Sequence, residues 1–452
     1  MKKKNFLMAA FAALSFTSAV FAQDDADKHY IRNSVYMMKL SETATNADYE
    51  EAFKIMNATF DTINFAKNYE RYNDFSLTDR TIDFSALPSV TQEEMDAIGK
   101  ETKVEQAINN ALKEQGLKQA LSEYEYAARL KKYFEQNKFA QKLVAKWYNK
   151  PGTAIGECDF DDDLTTIFEL GMKGLSQEAF DNAKATENLI SVAKGSTNKL
   201  LSNTYVCVNR YGYMDAKEVI AMSSAVLQST LGDNPMAQMA LKTGLAALEK
   251  KVKGYFVRAN AYLFRLDWSQ ELQNKLETEY WEKPTELMND DSYTLTYVGK
   301  SSKRAPAALS LKNSTSLDKL ISRGTIRATD AAFAALQRDH EEFRPMTSLH
   351  VIDGKLAAYI GLKEGIKNGD KFNVYEAVQS KDDPNLVEWK QVGSIQVEKG
   401  TVWDNRAGAG EEIEGAATDK DDDDDASGKQ PYTVFKGKPG KLGEGNMIRL
   451  AK

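Results

Sequence analysis

Only two cysteines and three histidines occur among the 452 residues. That scarcity excludes a disulfide-dense scaffold, and a zinc site is disfavoured because neither Cys158 nor Cys207 has a second Cys or a His at short ligand spacing. Nine prolines and 27 glycines exclude a collagen-like or Pro-rich low-complexity chain. Basic residues are outnumbered, 59 against 66. This balance disfavours nucleic-acid binding, where basic surface supplies the affinity. Beyond residue 22 no apolar run is long enough to cross a bilayer, so no transmembrane segment is expected in the mature chain. What is present is ordinary globular composition, 42% hydrophobic and 28% charged, in a chain long enough for more than one domain.

The N-terminus reads as an address. Lys2, Lys3 and Lys4 form a positive n-region, residues 6–16 an apolar h-region, and Val20, Phe21 and Ala22 a peptidase site. Cleavage is expected after Ala22, with Gln23 as the mature N-terminus. The alternative, a membrane anchor, needs about 20 apolar residues and the continuous core is shorter. No Cys follows the apolar stretch, which excludes lipid attachment there. The expected location is the periplasm or an association with the outer membrane. In such an oxidising compartment Cys158 and Cys207 are expected to form one disulfide, closing a loop worth about 3–4 kcal/mol in the chain-entropy model. Two buried thiols acting as small hydrophobes are the alternative.

Patterning predicts an α+β multidomain fold. Residues 23–150 are expected to be a mainly helical region with an aromatic-rich first segment; Val104, Ile108 and Leu112, then Phe139, Leu143 and Trp147, fall on single helical faces. Residues 151–300 read as a mixed α/β domain. In it, Asp215 and Glu218 have capping-box spacing ahead of Val219, Met222 and Val226, and residues 204–208 and 255–268 read as strands. Residues 301–344 carry a connecting helix with Leu317, Ile321, Ala328 and Ala332 on one face. After Pro345 the pattern turns to period two, as in Phe372/Val374 and Ile395/Val397, between Gly and Asp turns. Residues 345–452 are therefore expected to form a small all-β barrel or sandwich, with an acidic loop over 411–428.

Several segments resemble uncharacterised exported envelope proteins of Bacteroidota. They are the stretch from Lys142 to Trp147, the stretch from Ser202 to Val206, residues 361–365 with 369–372, and residues 402–406. The C-terminal part also resembles the small β-domains of envelope and flagellar assembly factors. Neither resemblance brings a catalytic residue or substrate; what both imply is an envelope location.

Motifs with catalytic or metal chemistry fail at the residues where geometry matters. Ser196, Thr197, Asn198 and Lys199 form an S-x-x-K with Lys242, Thr243 and Gly244 downstream, but the K-T-G falls in a helical stripe and an S-D-N element is absent. Asp159, Asp161 and Asp163 start an EF-hand spacing that breaks at Leu164 and Leu170, where Gly and Glu are required. Gly299, Lys300 and Ser301 end like a P-loop whose earlier Gly is Thr294. His340 stands among Asp339, Glu341 and Glu342 at a helix end, and H-E-x-x-H is broken by Arg344. Asp61, Thr62 and Ile63 fit a short O-glycosylation acceptor pattern. No catalytic or cofactor-binding residue is assigned and no cofactor is expected, the acidic loops at 159–163 and 421–425 being the places that could hold Ca²⁺ weakly; metal ligands remain unassigned. The reading favours an exported non-catalytic binding or scaffold component of the cell envelope, its partner an envelope protein or glycan. The alternative is a secreted hydrolase of glycan or peptide with a carboxylate pair.

Overall fold

The computed structural model describes residues 30–31, 33–44, 46–63, 80–114, 121–154, 156–162, 200–231, 243–244, 253–310, 316–379, 387–410, 427–428 and 430–451. The N-terminal stretch expected to be a signal peptide, with Ala22 and Gln23, the S-x-x-K residues, Asp163 and the 421–425 acidic run lie outside them. The fold is α+β, with a mixed sheet followed by a nearly closed antiparallel, barrel-like sheet in the C-terminal region.

Strand β1 (Tyr30–Ile31) pairs with the C-terminal sheet, whereas β2 (Ser34–Ser41) and β3 (Thr81–Asp83) enter the mixed one. Helix α1 (Glu50–Thr62) lies between those two strands in sequence. There follow α2 (Gln92–Ile98), α3 (Lys103–Glu114), α4 (Glu123–Gln136) and α5 (Phe139–Tyr148). Strand β4 (Thr204–Asp215) leads directly into α6 (Ala216–Leu231). Strand β5 (Tyr255–Leu266), the short helix α7 (Gln270–Lys275), β6 (Leu295–Pro306) and the long helix α8 (Leu317–Asp339) complete the unit.

The sheet order is β3-β2-β4-β5-β6, parallel at β3/β2 and β2/β4 and antiparallel from β4 onward. Helices cover both faces, so β4 and β5 are buried along nearly their whole length, as a doubly covered sheet requires. Alternation then sorts their side chains. Val206, Val208, Tyr262 and Phe264 join α4 and α5 in one core, while Tyr205, Cys207, Ala261 and Leu263 join α1 and α8 in the other. Trp147 of α5 is fully buried and its Nε1 donates to Thr204 Oγ1 at 3.1 Å. Residues on both sides of position 150 thus build one sheet. The stretch 301–344 contributes the end of β6, and a helix buried against the sheet.

The expected Cys158–Cys207 disulfide is not formed: both cysteines are free and buried. The cause is topological. Cys207 points from β4 into the α1/α8 core, and Cys158 belongs to the core on the opposite face of the same sheet. A disulfide needs its Cα atoms within about 7 Å and its Cβ atoms facing each other. Burial pushes the Cys158 thiol up to about 11 and the Cys207 thiol up to about 12, so both are protonated at neutral pH and unreactive.

The C-terminal sheet has the order β1-β7-β15-β10-β11-β14-β9-β8. Its strands are β7 (Met346–Ser348), β8 (His350–Ile352), β9 (Lys355–Ala358), β10 (Lys371–Gln379), β11 (Val387–Val397), β14 (Thr433–Lys436) and β15 (Met447–Leu450). Two-residue strands β12 (Val402–Trp403) and β13 (Ser427–Gly428) pair beside it. Residues 346–352 run as one bent strand: β7 pairs with β15 and β8 with β9, which brings the ends of the sheet together. Phe372, Val374, Ile395, Val397, Phe435 and Ile448 fill the interior, with Phe372 and Phe435 edge to face at 5.3 Å. Trp389 and Trp403 of the same region are only half-buried.

Helix α8 joins the two sheets. Its end places Arg338 against Asp370 in a forked pair (2.7 and 3.1 Å), and Nη1 of Arg338 also donates to the Gly365 carbonyl at 3.0 Å. Gly365 has φ +69°, and a Cβ there would stand 3.1 Å from Ala334 of α8. Only glycine satisfies both the left-handed turn and that close approach.

Candidate functional site

The register of β4, β5 and β6 builds a polar floor at one end of the mixed sheet. Arg210 lies opposite Asn260 and Asn260 opposite Ser302; one step along, Tyr262 is opposite Lys300, and one step back, Arg258 is opposite Arg304. Directly opposed residues share a face, so these side chains project on the α4 side, where Val208 and Phe264 are core. Helices α3 and α6 roof this end. Between floor and roof lies a cleft of about 370 Å³, with Ile108 of α3 and Val219, Met222 and Val226 of α6 as its apolar wall.

Two capping boxes fix the roof. The Asp215 amide donates to Glu218 Oε2 at 2.6 Å, and the Glu218 amide to Asp215 Oδ1 at 2.9 Å, which opens α6 immediately after β4. Thr102 and Glu105 open α3 in the same way, at 2.7 and 3.2 Å. Glu105 then takes the Lys300 ammonium in an ion pair, and Lys300 stands over the Tyr124 ring at 4.5 Å. One carboxylate thereby caps a helix and ties it to the edge strand.

Glu123 is the centre of the buried charge. It is the first residue of α4, behind the Ser122 cap, where the helix dipole favours a carboxylate. Its Oε1 accepts from Arg210 Nη2 at 2.8 Å and faces Arg258 Nη2 at 3.6 Å, and its Oε2 accepts from the Tyr262 hydroxyl. Arg210 also reaches Glu42 at 3.4 Å and lies over the Tyr126 ring at 4.0 Å, while the Tyr126 hydroxyl donates to Glu42 at 2.6 Å. Burial pushes the Glu123 carboxyl up, but Arg210, Arg258 and the Tyr262 hydroxyl outweigh it and hold it below the usual carboxylate range. Burial likewise opposes ionisation of Glu105, and Lys300 with the Thr102 amide overrules it. Burial holds the Arg258 guanidinium below its ordinary value, with Glu123 opposing the shift and Arg210 adding to it. Burial raises the Tyr262 phenol, which Glu123 reinforces, so it stays a donor.

The cleft therefore presents ionised, paired carboxylates beside two groups with spare hydrogen-bonding capacity. Arg258 spends Nε on Ser302 Oγ at 2.8 Å and, among the described residues, has only the long contact to Glu123 beyond it, out of five donors. Asn260 is 3% exposed, lines the cleft, and among the described residues its carboxamide oxygen has no hydrogen-bond partner. Native structures leave few buried polar atoms in that state.

The residues singled out in the sequence lie mostly elsewhere. Lys300 is in the cleft, but on strand β6 and not in a phosphate loop. Asp159 pairs with Lys150 at 2.6 Å and Asp162 accepts from Trp281 Nε1 at 3.1 Å. Among the described residues no group of three or more His, Cys, Asp or Glu side chains is arranged to hold a metal ion. Thr243 and Gly244 are helical and exposed. Asp61 and Thr62 end α1, where Asp61 holds the buried Lys39 at 2.6 Å. His340 ends α8, its ring where a Cβ on Gly299 would sit. Arg210, Glu123, Arg258 and Asn260 were not singled out, although a signal exists. Two arginines and an amide interrupt otherwise apolar strands at one parity, and a buried charge needs a partner.

Among the described residues no helix is long and apolar enough to cross a membrane. No protein-family model matches the chain, and no curated protein matches it in sequence.

Proposed function

We propose that this protein is an exported, non-catalytic binding or scaffold component of a bacterial cell envelope, periplasmic or associated with the outer membrane, that receives an envelope protein or glycan. The observation that carries the non-catalytic reading is the state of the cleft carboxylates. A glycosidase or acid protease needs a carboxyl that keeps its proton, raised by burial or by a like charge. Glu105 and Glu123 are instead held ionised by Lys300, Arg210 and Arg258, and the cleft offers Asn260 and Arg258 as recognition groups. Export rests on the charged, apolar and Ala22-terminated N-terminal pattern, and the envelope location also on the Bacteroidota resemblance. In this reading residues 345–452, with β1 added at one edge, form a small barrel that serves as a second module.

The test is incubation of the mature protein with envelope glycans and peptides, followed by mass spectrometry of bound and released material. Retention of intact molecules is the expected result. Cleavage products that disappear in Glu123→Gln or Glu105→Gln would establish the hydrolase instead. N-terminal sequencing of the envelope form should begin at Gln23; a retained Met1 would refute the export step.

A further inference from the structure

The cleft's unspent groups specify a chemistry. Asn260 carries an amide oxygen and an amide NH₂ side by side, and the oxygen is buried without a partner. A carboxamide in that situation is matched by a ligand amide, whose N–H and C=O can meet it as donor and acceptor. Arg258 projects from the same face of β5 two residues away, at a spacing of about 7 Å. Its guanidinium has donors left for an anion, and the planar fork suits a carboxylate. An extended peptide advances at most about 3.6 Å per residue, so a terminal carboxylate and the amide preceding it fit within that reach.

The surroundings narrow the class further. The wall opposite the floor is aliphatic and thioether, from Ile108, Val219 and Met222, which suits an apolar side chain and not a polyhydroxylated ring. The acids that face the cleft are engaged, Glu105 by Lys300, Glu123 by Arg210 and Tyr262, and Glu101 by Asn109 at 2.8 Å. Lys303 and Arg304 add exposed cations at the rim. An incoming carboxylate therefore meets a cleft in which Glu105 and Glu123 are paired with cations, and Glu101, held by the neutral Asn109 amide, is the one lining acid among the described residues without a cationic partner.

We infer that this cleft binds the carboxyl-terminal end of a short peptide with an apolar last residue, Arg258 receiving the carboxylate and Asn260 the adjoining amide. The inference rests on the binding reading above and names the ligand class for the same site. The probe is acetyl-Ala-Leu with a free carboxylate, compared by calorimetry with its C-terminal carboxamide and with a chito-oligosaccharide. Saturable binding of the dipeptide is expected, at least tenfold weaker for the carboxamide and at least tenfold weaker in Asn260→Leu, with circular dichroism confirming that the variant is folded. The comparison of dipeptide with carboxamide needs no variant, so a folding defect cannot mask the outcome. Absence of binding, equal affinity for acid and amide, or undiminished affinity in folded Asn260→Leu would overturn the inference. Binding of the oligosaccharide alone, lost in Asn260→Leu, would overturn the peptide class and leave the binding reading intact. Recovery of cleaved dipeptide would support the peptide class and refute the non-catalytic reading.

Discussion

The two sheets of this chain handle polarity in opposite ways. The C-terminal sheet keeps its interior aliphatic and aromatic, with Leu349, Val374, Val397 and Ile448 essentially inaccessible, and its forked Arg338–Asp370 pair lies outside that core, where α8 docks. The mixed sheet carries Arg210, Arg258 and Asn260 on a face that is otherwise core. Removing charge from water costs several kcal/mol per ion unless partners restore it. A sheet built for stability alone gains nothing from an unpaired amide beneath two helices. The contrast fits the reading proposed above, in which this end of the mixed sheet serves recognition; among the described residues the sheet also leaves Asn209 Oδ1 unpaired, away from the cleft.

Substitutions can break this comparison, and the largest effect belongs to the charge cluster. Arg210→Met removes the main partner of the half-buried Glu123 carboxylate, and should destabilise the mixed sheet by up to about 3–5 kcal/mol. Denaturant unfolding followed by circular dichroism reads this, and adding Glu123→Gln should restore a substantial part. A single-variant cost under 1 kcal/mol would mean that the cluster is solvated. In the barrel, Leu356→Ala should cost about 2–5 kcal/mol through the lost side chain and the cavity it leaves, with no rescue available from any charge change.

Acid separates the regions more gently. The folded-state values of Glu123 and Glu105 lie below the ordinary 4.5. Each therefore contributes stability that is fully present above pH 4.5 and is lost as pH falls through the lowered value. Asp290 behaves alike between 3.8 and about 2: burial pushes it up, and Lys275, Ser292 and Tyr280 more than reverse this. Protection factors of β4 and β5 amides, taken relative to the intrinsic exchange rate at each pH, should thus fall below pH 4.5 before those of β10 and β14. The opposite order would break the comparison. The smallest effect is that of reductant: with Cys158 and Cys207 on opposite faces of the sheet, dithiothreitol should leave the melting temperature unchanged, and non-reduced peptide mapping should show two free thiols.

Much of the architecture is legible in the sequence wherever one local rule decides. The capping pair Asp215/Glu218, the stripes of α3, α5 and α8, and the period-two strands at Phe372/Val374 and Ile395/Val397 are local patterns, and the elements form there. Strand β2 is not legible because its run is Met-rich and short of β-branched residues, and its place beside β4 depends on a partner more than 160 residues away. The cysteine pairing fails for a related reason, since a count of two says nothing about which face of a sheet each occupies. The cleft was hidden because Glu123, Arg210, Arg258 and Lys300 come from four separate elements and Glu42 from the segment after β2, and the three strand residues converge through the register of β4, β5 and β6.

The central claim, that the mixed sheet gives up stability at Asn260 for recognition, is tested most directly by the thermal unfolding of Asn260→Leu. If the buried amide serves a ligand, its replacement by an apolar group of similar size removes an uncompensated polar atom. The variant should then melt at or above the wild-type temperature and lose the upward shift that acetyl-Ala-Leu gives the wild type. A variant that melts several degrees lower would show that Asn260 holds the fold together, which contradicts the claim.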